Sequence, residues 1–347
     1  MATLRRAAPG DLYAREEIMS KYDHTWAIVL AAGDGTRLRS LTRDPIGRPV
    51  PKQFCSLFGG PTLLHDSLQR GLALAARKRL CAVVAAQHSE WWQDALWALP
   101  PDNVITQPDN RGTAVGVLLS LSTVRSLDPL ARLLFLPADH FVAREDRLQS
   151  AMRAALAEVE RAPDHLILVG IKPESAEADF GYIVPRAHLS KARRVARFVE
   201  KPATPEAAAL VDSGALWNSF IFATTGATLL DLFRDRMPDV VDAIDECRAR
   251  GRAAELEELY RTLPAFDFSR DVLTGRESRL RVVPAHGCGW TDLGTPARVG
   301  AVVRRLGARA ASGPILRAGT PAAAINLAEA CWRPTREARA ALAERPA

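Results

Sequence analysis

Residues 25–41 read TWAIVLAAGDGTRLRSL. The apolar run at its start is too short for a membrane helix and reads as a buried strand. Two glycines two apart follow it, and then an arginine two residues after the second. A dinucleotide fingerprint would need a third glycine where Leu38 stands, and the chain holds no G-x-x-x-x-G-K-[ST] loop. What remains is Gly33-Asp34-Gly35-Thr36-Arg37, leading into a helix or turn. Glycines let backbone N–H groups approach an anion, and Arg37 adds a forked cation suited to phosphate. The alternative is a tight strand-to-helix turn.

Working outward, residues 25–173 alternate apolar runs with helical patterns. TWAIVLAAG, LCAVVAAQ, NVITQ, RLLFLPAD and HLILVGI read as strands, and 61–78, 89–98, 113–127 and 146–161 as helices. Strands without polar alternation, separated by helices, predict an α/β fold with a mostly parallel sheet covered on both faces. Ligands on such sheets bind beyond the carboxyl ends of strands, where the opening loop sits. From about residue 180, FGYIVP, RRVARFVEKP, LWNSFIFAT and SRLRVVPA read as further strands. Helices are expected at 204–213 and over 226–262, and the last forty residues, rich in Ala and Arg, are expected to be helical. No repeat or low-complexity linker interrupts the chain.

Composition narrows the function classes. The chain has 347 residues, is 48% hydrophobic and 25% charged, and carries a net charge of +6. Arginines are scattered among acids and aromatics are few, so neither nucleic acid nor a membrane is an expected partner. The N-terminal stretch has no apolar core of its own and is not read as a signal peptide. Five widely spread cysteines lack metal-ligand spacing, which suits a reduced, cytoplasmic setting. Only six of the 46 basic residues are lysines, which draws attention to Lys52 in PVPKQF and Lys201 in FVEKPA.

Two carboxylates stand out. Asp139 ends the apolar strand of FLPADHFV, and Asp292 lies in the glycine-flanked loop GCGWTDLGTP. Each falls beyond a strand end, so the pair could share one divalent ion. Read singly, Asp139 is equally an N-cap and Asp292 a turn residue. His140 is expected to be structural rather than a base.

These pieces, in this order, resemble the sugar-1-phosphate nucleotidyltransferases, and most closely the mannose-1-phosphate guanylyltransferases. AGDGTRL matches the family's G-G-x-G-T-R-L with Ala32 at its first glycine. PKQF, LPADH and FVEKP match outright. QPDNRGTAVGV resembles E-P-x-x-R-N-T-A-P, LWNSFIF resembles L-W-N-S-G-M-F, WTDLG resembles W-S-D-V-G, and AFDFSRDVL is a weakened S-I-D-Y-A-V-M-E-K. The resemblance covers roughly residues 25–300.

The resemblance implies a Rossmann-like nucleotidyltransferase fold over residues 25–300. A nucleotide-binding part (25–173) precedes a small, β-rich sugar-phosphate part (174–300), flanked by an N-terminal extension (1–24) and a helical tail (301–347). It implies that a sugar 1-phosphate attacks the α-phosphate of a nucleoside triphosphate in line and pyrophosphate leaves. GTP and mannose 1-phosphate are the favoured substrates, Mg²⁺ the cofactor and a homodimer a candidate assembly. Ala31, Ala32, Gly33, Gly35, Thr36, Arg37, Lys52, Arg111, Gly112 and Thr113 would bind the nucleotide. Arg37 and Lys52 would act on the reacting phosphates, Asp139 and Asp292 would hold the metal, and Gly181, Glu200, Lys201 and Asn218 would bind the sugar phosphate.

Several departures bear on base and sugar. Ala32 replaces a glycine, Gly112 an asparagine and Phe220 a glycine, and the E-K after Asp267 is absent. The segment before Lys52 is about four residues longer than the family's usual spacing. Trp217 is read as core, and Phe220 either narrows the sugar pocket or packs behind its strand. Two other functions compete: a catalytically weak relative that only binds a nucleotide sugar, and a dinucleotide-dependent oxidoreductase, against which Leu38 argues.

Overall fold

Trp26 and Ile28 face one way from the first strand, β1 (Thr25–Leu30), and Ala27 and Val29 the other; all four are buried. A strand that is apolar on both sides needs cover on both faces, and it receives it. In the computed structural model, which describes residues 24–44, 46–186 and 192–310, β1 is an interior strand, third from one edge of a nine-stranded sheet. Helices Leu63–Leu72 and Glu145–Arg161 pack on the Ala27/Val29 face. Helices Gly112–Leu127, Gly226–Arg234 and Pro238–Arg250 cover the other.

The remaining strands are β2 (Leu80–Ala85), β3 (Val104–Gln107), β4 (Arg132–Pro137), β5 (Phe141–Val142), β6 (Leu166–Ile171), β7 (Gly181–Pro185), β8 (Arg193–Glu200), β9 (Leu216–Thr225), β10 (Leu280–Ala285) and β11 (Trp290–Thr291). The sheet order is β3-β2-β1-β4-β9-β6-β10-β8-β7. Strands β1 to β4 are mutually parallel, whereas β9 runs antiparallel to both β4 and β6. The expected α/β class with a mixed, mostly parallel sheet is therefore what forms. Because β9 lies between β4 and β6, residues on either side of position 173 share one sheet.

The parallel strands end together at Leu30, Ala85, Gln107 and Pro137, on the edge where the opening loop begins. A separate two-stranded ribbon pairs β11 with β5, setting Trp290 opposite Val142 and Thr291 opposite Phe141. This ribbon carries Asp292 to Asp139 across 153 positions of chain, which no local pattern in the sequence states.

Two helices differ from expectation. The helix read at 61–78 spans Leu63–Leu72, capped by the Thr62 side chain, which accepts from the His65 N–H. The one read at 89–98 is a single turn, Ser89–Trp92, after which the chain continues as turns towards Pro100 and Pro101. There Trp92 Nε1 donates to the Ala85 carbonyl, and Trp97 is left exposed. Residues 301–310 continue helix Pro296–Ala310; the rest of the expected tail, and the N-terminal extension before His24, lie outside the described residues. No helix among the described residues is long and apolar enough to cross a membrane.

Candidate active site

Beyond the ends of β1 to β4 lies a cleft of about 530 Å³. The wall where the resemblance expects the nucleotide begins with the opening loop. The Ala31 N–H extends the sheet by donating to the Val83 carbonyl at 2.7 Å. Gln53 Nε2 then donates to the carbonyls of Ala31 (2.9 Å) and Gly33 (2.7 Å), so the loop's acceptors are tied back. The N–H groups of Gly33, Asp34 and Gly35 have no partner among the described residues, which is the condition an anion-binding loop requires. Gly35 is left-handed (φ 60°), and a Cβ there would come within 3.0 Å of the Lys52 nitrogen. The chain then turns through a short 3₁₀ segment, Thr36–Leu38, pinned by buried Leu38. Arg37 projects from it, exposed, and among the described residues only Asp179 pairs with its guanidinium, at 3.9 Å.

Lys52 is buried at the centre of the charged end. Its Nζ donates to the Asp292 carbonyl at 2.7 Å and lies 3.2 Å from Asp139 Oδ2. Leu293 is left-handed (φ 51°), which curls the loop so that its own carbonyl also meets Nζ, at 3.4 Å. Burial pushes the Asp139 carboxyl up, but Lys52 and His140 outweigh it and hold Asp139 below the usual carboxylate range. Burial drives His140 down to about 4 against the pull of Asp139, so the ring is neutral at pH 7. Trp290 Nε1 donates to His140 Nδ1 at 3.1 Å, which leaves the ring proton on Nε2, 3.5 Å from Asp139 Oδ1. His140 thus positions Asp139 and is not a free base.

The wall where the resemblance expects the sugar is built by β7, β8 and β9. Gly181 pairs with Glu200 across β7 and β8, and a Cβ at 181 would lie 2.6 Å from Glu200 Oε2, so the glycine makes room for that carboxylate. Burial pushes the Glu200 carboxyl up against the pull of Lys201, whose Nζ is 3.3 Å away. Lys201 itself is exposed and left-handed (φ 48°). Asn218 accepts from the Phe220 N–H at 3.0 Å and donates to Ser269 Oγ at 3.3 Å. Phe220 also has φ 58°, the conformation glycine favours, in keeping with the glycine the resembled family carries there. Its ring both lines the cleft and packs edge-on against Phe222 and Phe268, so the two readings of it are not exclusive. Trp217 is core, packed against Phe180 and Trp290.

Of the residues expected from the sequence, Ala32, Gly33, Arg37, Lys52, Gly112, Thr113, Asp139, Gly181, Glu200, Lys201, Asn218 and Asp292 line this one cleft. Ala31, Gly35 and Thr36 shape the loop without lining it. Arg111 does not line it either: its Nε donates to the Tyr260 carbonyl and its Nη2 pairs with Asp109, which anchors the loop to helix Ala253–Thr262. Gly112 (φ 80°) is required because any Cβ there would collide with the Phe266 carbonyl.

A family model described as nucleotidyl transferase matches residues 26–304. The chain belongs to the nucleotidyl transferase family. Within that family it is 32% identical over 276 residues to the xanthan biosynthesis protein XanB of Xanthomonas campestris, covering 77% of this chain and 57% of the relative. It is 31% identical to the mannose-1-phosphate guanylyltransferase ManC of Salmonella typhimurium, covering 78% and 58%. The chain spans just over half the length of these curated relatives. A solved structure from Thermus thermophilus, described as a mannose-1-phosphate geranyltransferase, superposes with a TM-score of 0.69 at 32% identity, covering 78% of this chain and 76% of that one.

Sequence reading missed three groups that this family member uses to hold its cleft. Gln53 lay in PKQF, but nothing in that motif states which carbonyls it binds. Asp179 and Arg298 were not singled out. Arg298 Nη1 contacts both Asp292 oxygens at 3.0 and 3.2 Å, its Nη2 donates to Glu177 Oε2 at 2.8 Å, and its guanidinium stacks 4.2 Å from the Phe180 ring. Arginine is so common in this chain that its type carries no signal.

Proposed function

We propose that the chain transfers a nucleotidyl group from a nucleoside triphosphate to a sugar 1-phosphate, giving a nucleoside-diphosphate sugar and pyrophosphate. The observation that carries this reading is the junction at Lys52, where one ammonium joins Asp139 to the Asp292 loop between a loop of free amides and the wall that bears Glu200 and Asn218. Among the described residues, no hydroxyl of the lining is hydrogen-bonded to a histidine or carboxylate that could activate it as a nucleophile. None of the described cysteines lines the cleft, Ser219 donates to the Val169 carbonyl, and Thr113 accepts from the Phe268 N–H. A sugar phosphate is itself an anionic nucleophile, so alignment and charge neutralisation suffice.

Charge supports a divalent cation. Four cationic side chains line the cleft (Arg37, Lys52, Lys201, Arg270) against five carboxylates (Asp139, Asp179, Glu200, Asp267, Asp292). Such a lining cannot by itself neutralise two phosphate-bearing substrates. No cluster of three or more metal-ligating side chains occurs among the described residues. Mg²⁺ suits that donor set, since it is commonly held by one or two carboxylates together with substrate phosphates. Asp139 and Asp292 would hold it, and it would supply charge neutralisation and alignment of the phosphates. Arg37 would meet the charge developing on pyrophosphate, Lys52 the phosphates at the reacting centre, and Glu200, Lys201 and Asn218 the sugar phosphate. The names of the relatives favour GTP and mannose 1-phosphate.

The test is a panel of four nucleoside triphosphates against several hexose 1-phosphates with Mg²⁺, read as pyrophosphate release. Release that depends on the sugar phosphate is expected; none with any pair overturns the reading. One observation favours a binding-only relative: Arg298 already holds both oxygens of Asp292. Tight nucleotide-sugar binding without pyrophosphate release would select it.

A further inference from the structure

Arg298 stands in the first turn of helix Pro296–Ala310, behind Asp292, and does not itself line the cleft. A cation suits the last turn of a helix and not the first, so the helix does not account for its placement. Its surroundings do. Nη2 donates to Glu177 Oε2 at 2.8 Å and lies 3.7 Å from Asp179 Oδ2, and the guanidinium stacks on the Phe180 ring. All three of these residues belong to the chain between β6 and β7, so Arg298 is fixed from outside its own helix. Its planar fork can hold Glu177 with one nitrogen while the other, Nη1, meets Asp292.

The two oxygens of Asp292 are not equally occupied. Nη1 donates to Oδ1 at 3.0 Å and to Oδ2 at 3.2 Å, and the Gly294 N–H also donates to Oδ1, at 2.9 Å. A carboxylate offers about four lone-pair sites, two on each oxygen. Among the described donors Oδ1 is met twice and Oδ2 once, which leaves one open site, on Oδ2. Lys52 holds the backbone carbonyl of the same residue at 2.7 Å, so Asp292 is tied at both ends and is not free to offer more. Asp139 is restricted in a similar way, with Lys52 Nζ 3.2 Å from its Oδ2 and His140 Nε2 3.5 Å from its Oδ1. Neither carboxylate presents two unencumbered oxygens.

We propose that Arg298 is a positioning residue that makes Asp292 a one-oxygen ligand, and so sets which divalent cation the cleft accepts. Mg²⁺ is small, demands a near-ideal octahedron and makes do with one or two carboxylates. Ca²⁺ gathers roughly six to eight oxygens and often chelates both oxygens of one carboxylate. A carboxylate with one open lone pair serves the first ion and starves the second. Arg298 thus shapes the ligand rather than closing it. The inference deepens the nucleotidyl-transfer reading and rests on it for the placing of a cation at Asp139 and Asp292.

The test is binding of metal ions alone to the full chain, without substrates, so that it does not depend on turnover. Bound Mn²⁺, read from the loss of its free-ion spin-resonance signal, is displaced with Mg²⁺ or with Ca²⁺, and the ratio of the two displacement constants is the readout. Removing a positive charge strengthens both ions and loosened packing weakens both, so a merely structural arginine would leave the ratio unmoved. In the wild type Mg²⁺ should displace Mn²⁺ at lower concentration than Ca²⁺ does. Arg298→Met frees Asp292 to chelate, and the ratio should move towards Ca²⁺ on the order of tenfold. Glu177→Gln loosens the arginine without removing it, should move the ratio the same way by less, and serves if Arg298→Met does not fold. A wild type that prefers Ca²⁺, or a ratio unchanged in folded Arg298→Met, overturns the proposal; where that variant does not fold, an unchanged ratio in Glu177→Gln overturns it. Mn²⁺ binding that survives in Asp292→Asn, or none at millimolar Mn²⁺, removes the cation from Asp292 and the inference with it. Pyrophosphate release with an unmoved ratio defeats this inference alone; the expected shift with no release from any substrate pair defeats the transfer reading alone.

Discussion

The two sides of the cleft meet the same backbone demand with different residues. On the side proposed for the nucleotide the left-handed positions are glycines, Gly35 (φ 60°) and Gly112 (φ 80°). On the side proposed for sugar and metal they are Lys201 (φ 48°), Phe220 (φ 58°) and Leu293 (φ 51°), beside Gly287 (φ 59°) and Gly289 (φ 63°) just ahead of β11. An L-residue in that region costs about 1–2 kcal/mol, whereas glycine adopts it freely. At Gly35 and Gly112 backbone approaches backbone, and the Lys52 nitrogen or the Phe266 carbonyl leaves no room for a side chain. At Lys201 and Phe220 the side chain itself lines the cleft. The nucleotide side is thus shaped by main chain, the sugar side by side chains held under strain. Strain of this kind persists where the surroundings over-determine the conformation, as at binding sites.

The largest expected effect falls at the seam between the two sides. Asp139→Asn and Asp292→Asn each remove a charge facing Lys52 or Arg298, and each should lower kcat by at least about a hundredfold. Near wild-type turnover at limiting Mg²⁺ in either variant would show that its carboxylate holds no metal. Arg37→Lys comes next. Its ion pair among the described residues is the distant one to Asp179, so Arg37 can fork onto two phosphate oxygens, which a lysine cannot do. A loss of about tenfold or more is expected, in kcat rather than KM. A raised KM for triphosphate at unchanged kcat would make Arg37 a binding group only.

On the sugar side, Asn218→Ala and Glu200→Gln should raise KM for the sugar phosphate several-fold, roughly, and leave that for triphosphate nearly unchanged. Equal effects on both substrates would erase the division between the sides. Glu200 adds a pH signature. Its raised carboxyl means the folded protein binds more protons than the unfolded chain, so stability falls as pH rises from 4.5 through the raised value. Urea unfolding across about pH 4 to pH 8 should show that fall, flattened in Glu200→Gln. The smallest effect is at Lys201, which is exposed and packs little. Lys201→Gly should relieve strain and gain up to about 1 kcal/mol, while weakening sugar-phosphate binding. Lost stability there would mean that the left-handed turn is not strained.

This contrast also explains what was legible in the sequence. Gly33, Gly35 and Arg37 announced their loop because glycine is itself the signature of the backbone it permits. The strands from β1 to β4 were legible because burial on both faces leaves no polar alternation. Lys201 and Leu293 gave no such sign, since no L-residue advertises a left-handed conformation, and at Phe220 the sign lay in the glycine it replaces. The contacts of Arg298 and Tyr260 were equally hidden, because their partners lie in other elements and only the fold brings them together.

Exchange of labelled pyrophosphate into nucleoside triphosphate tests most directly whether the cleft aligns two substrates without a nucleophile of its own. With Mg²⁺ and triphosphate but no sugar phosphate or product, a single in-line displacement predicts no exchange, and adding the nucleotide sugar should switch exchange on. Exchange in the absence of any sugar would reveal a covalent nucleotidyl-protein intermediate and contradict the account.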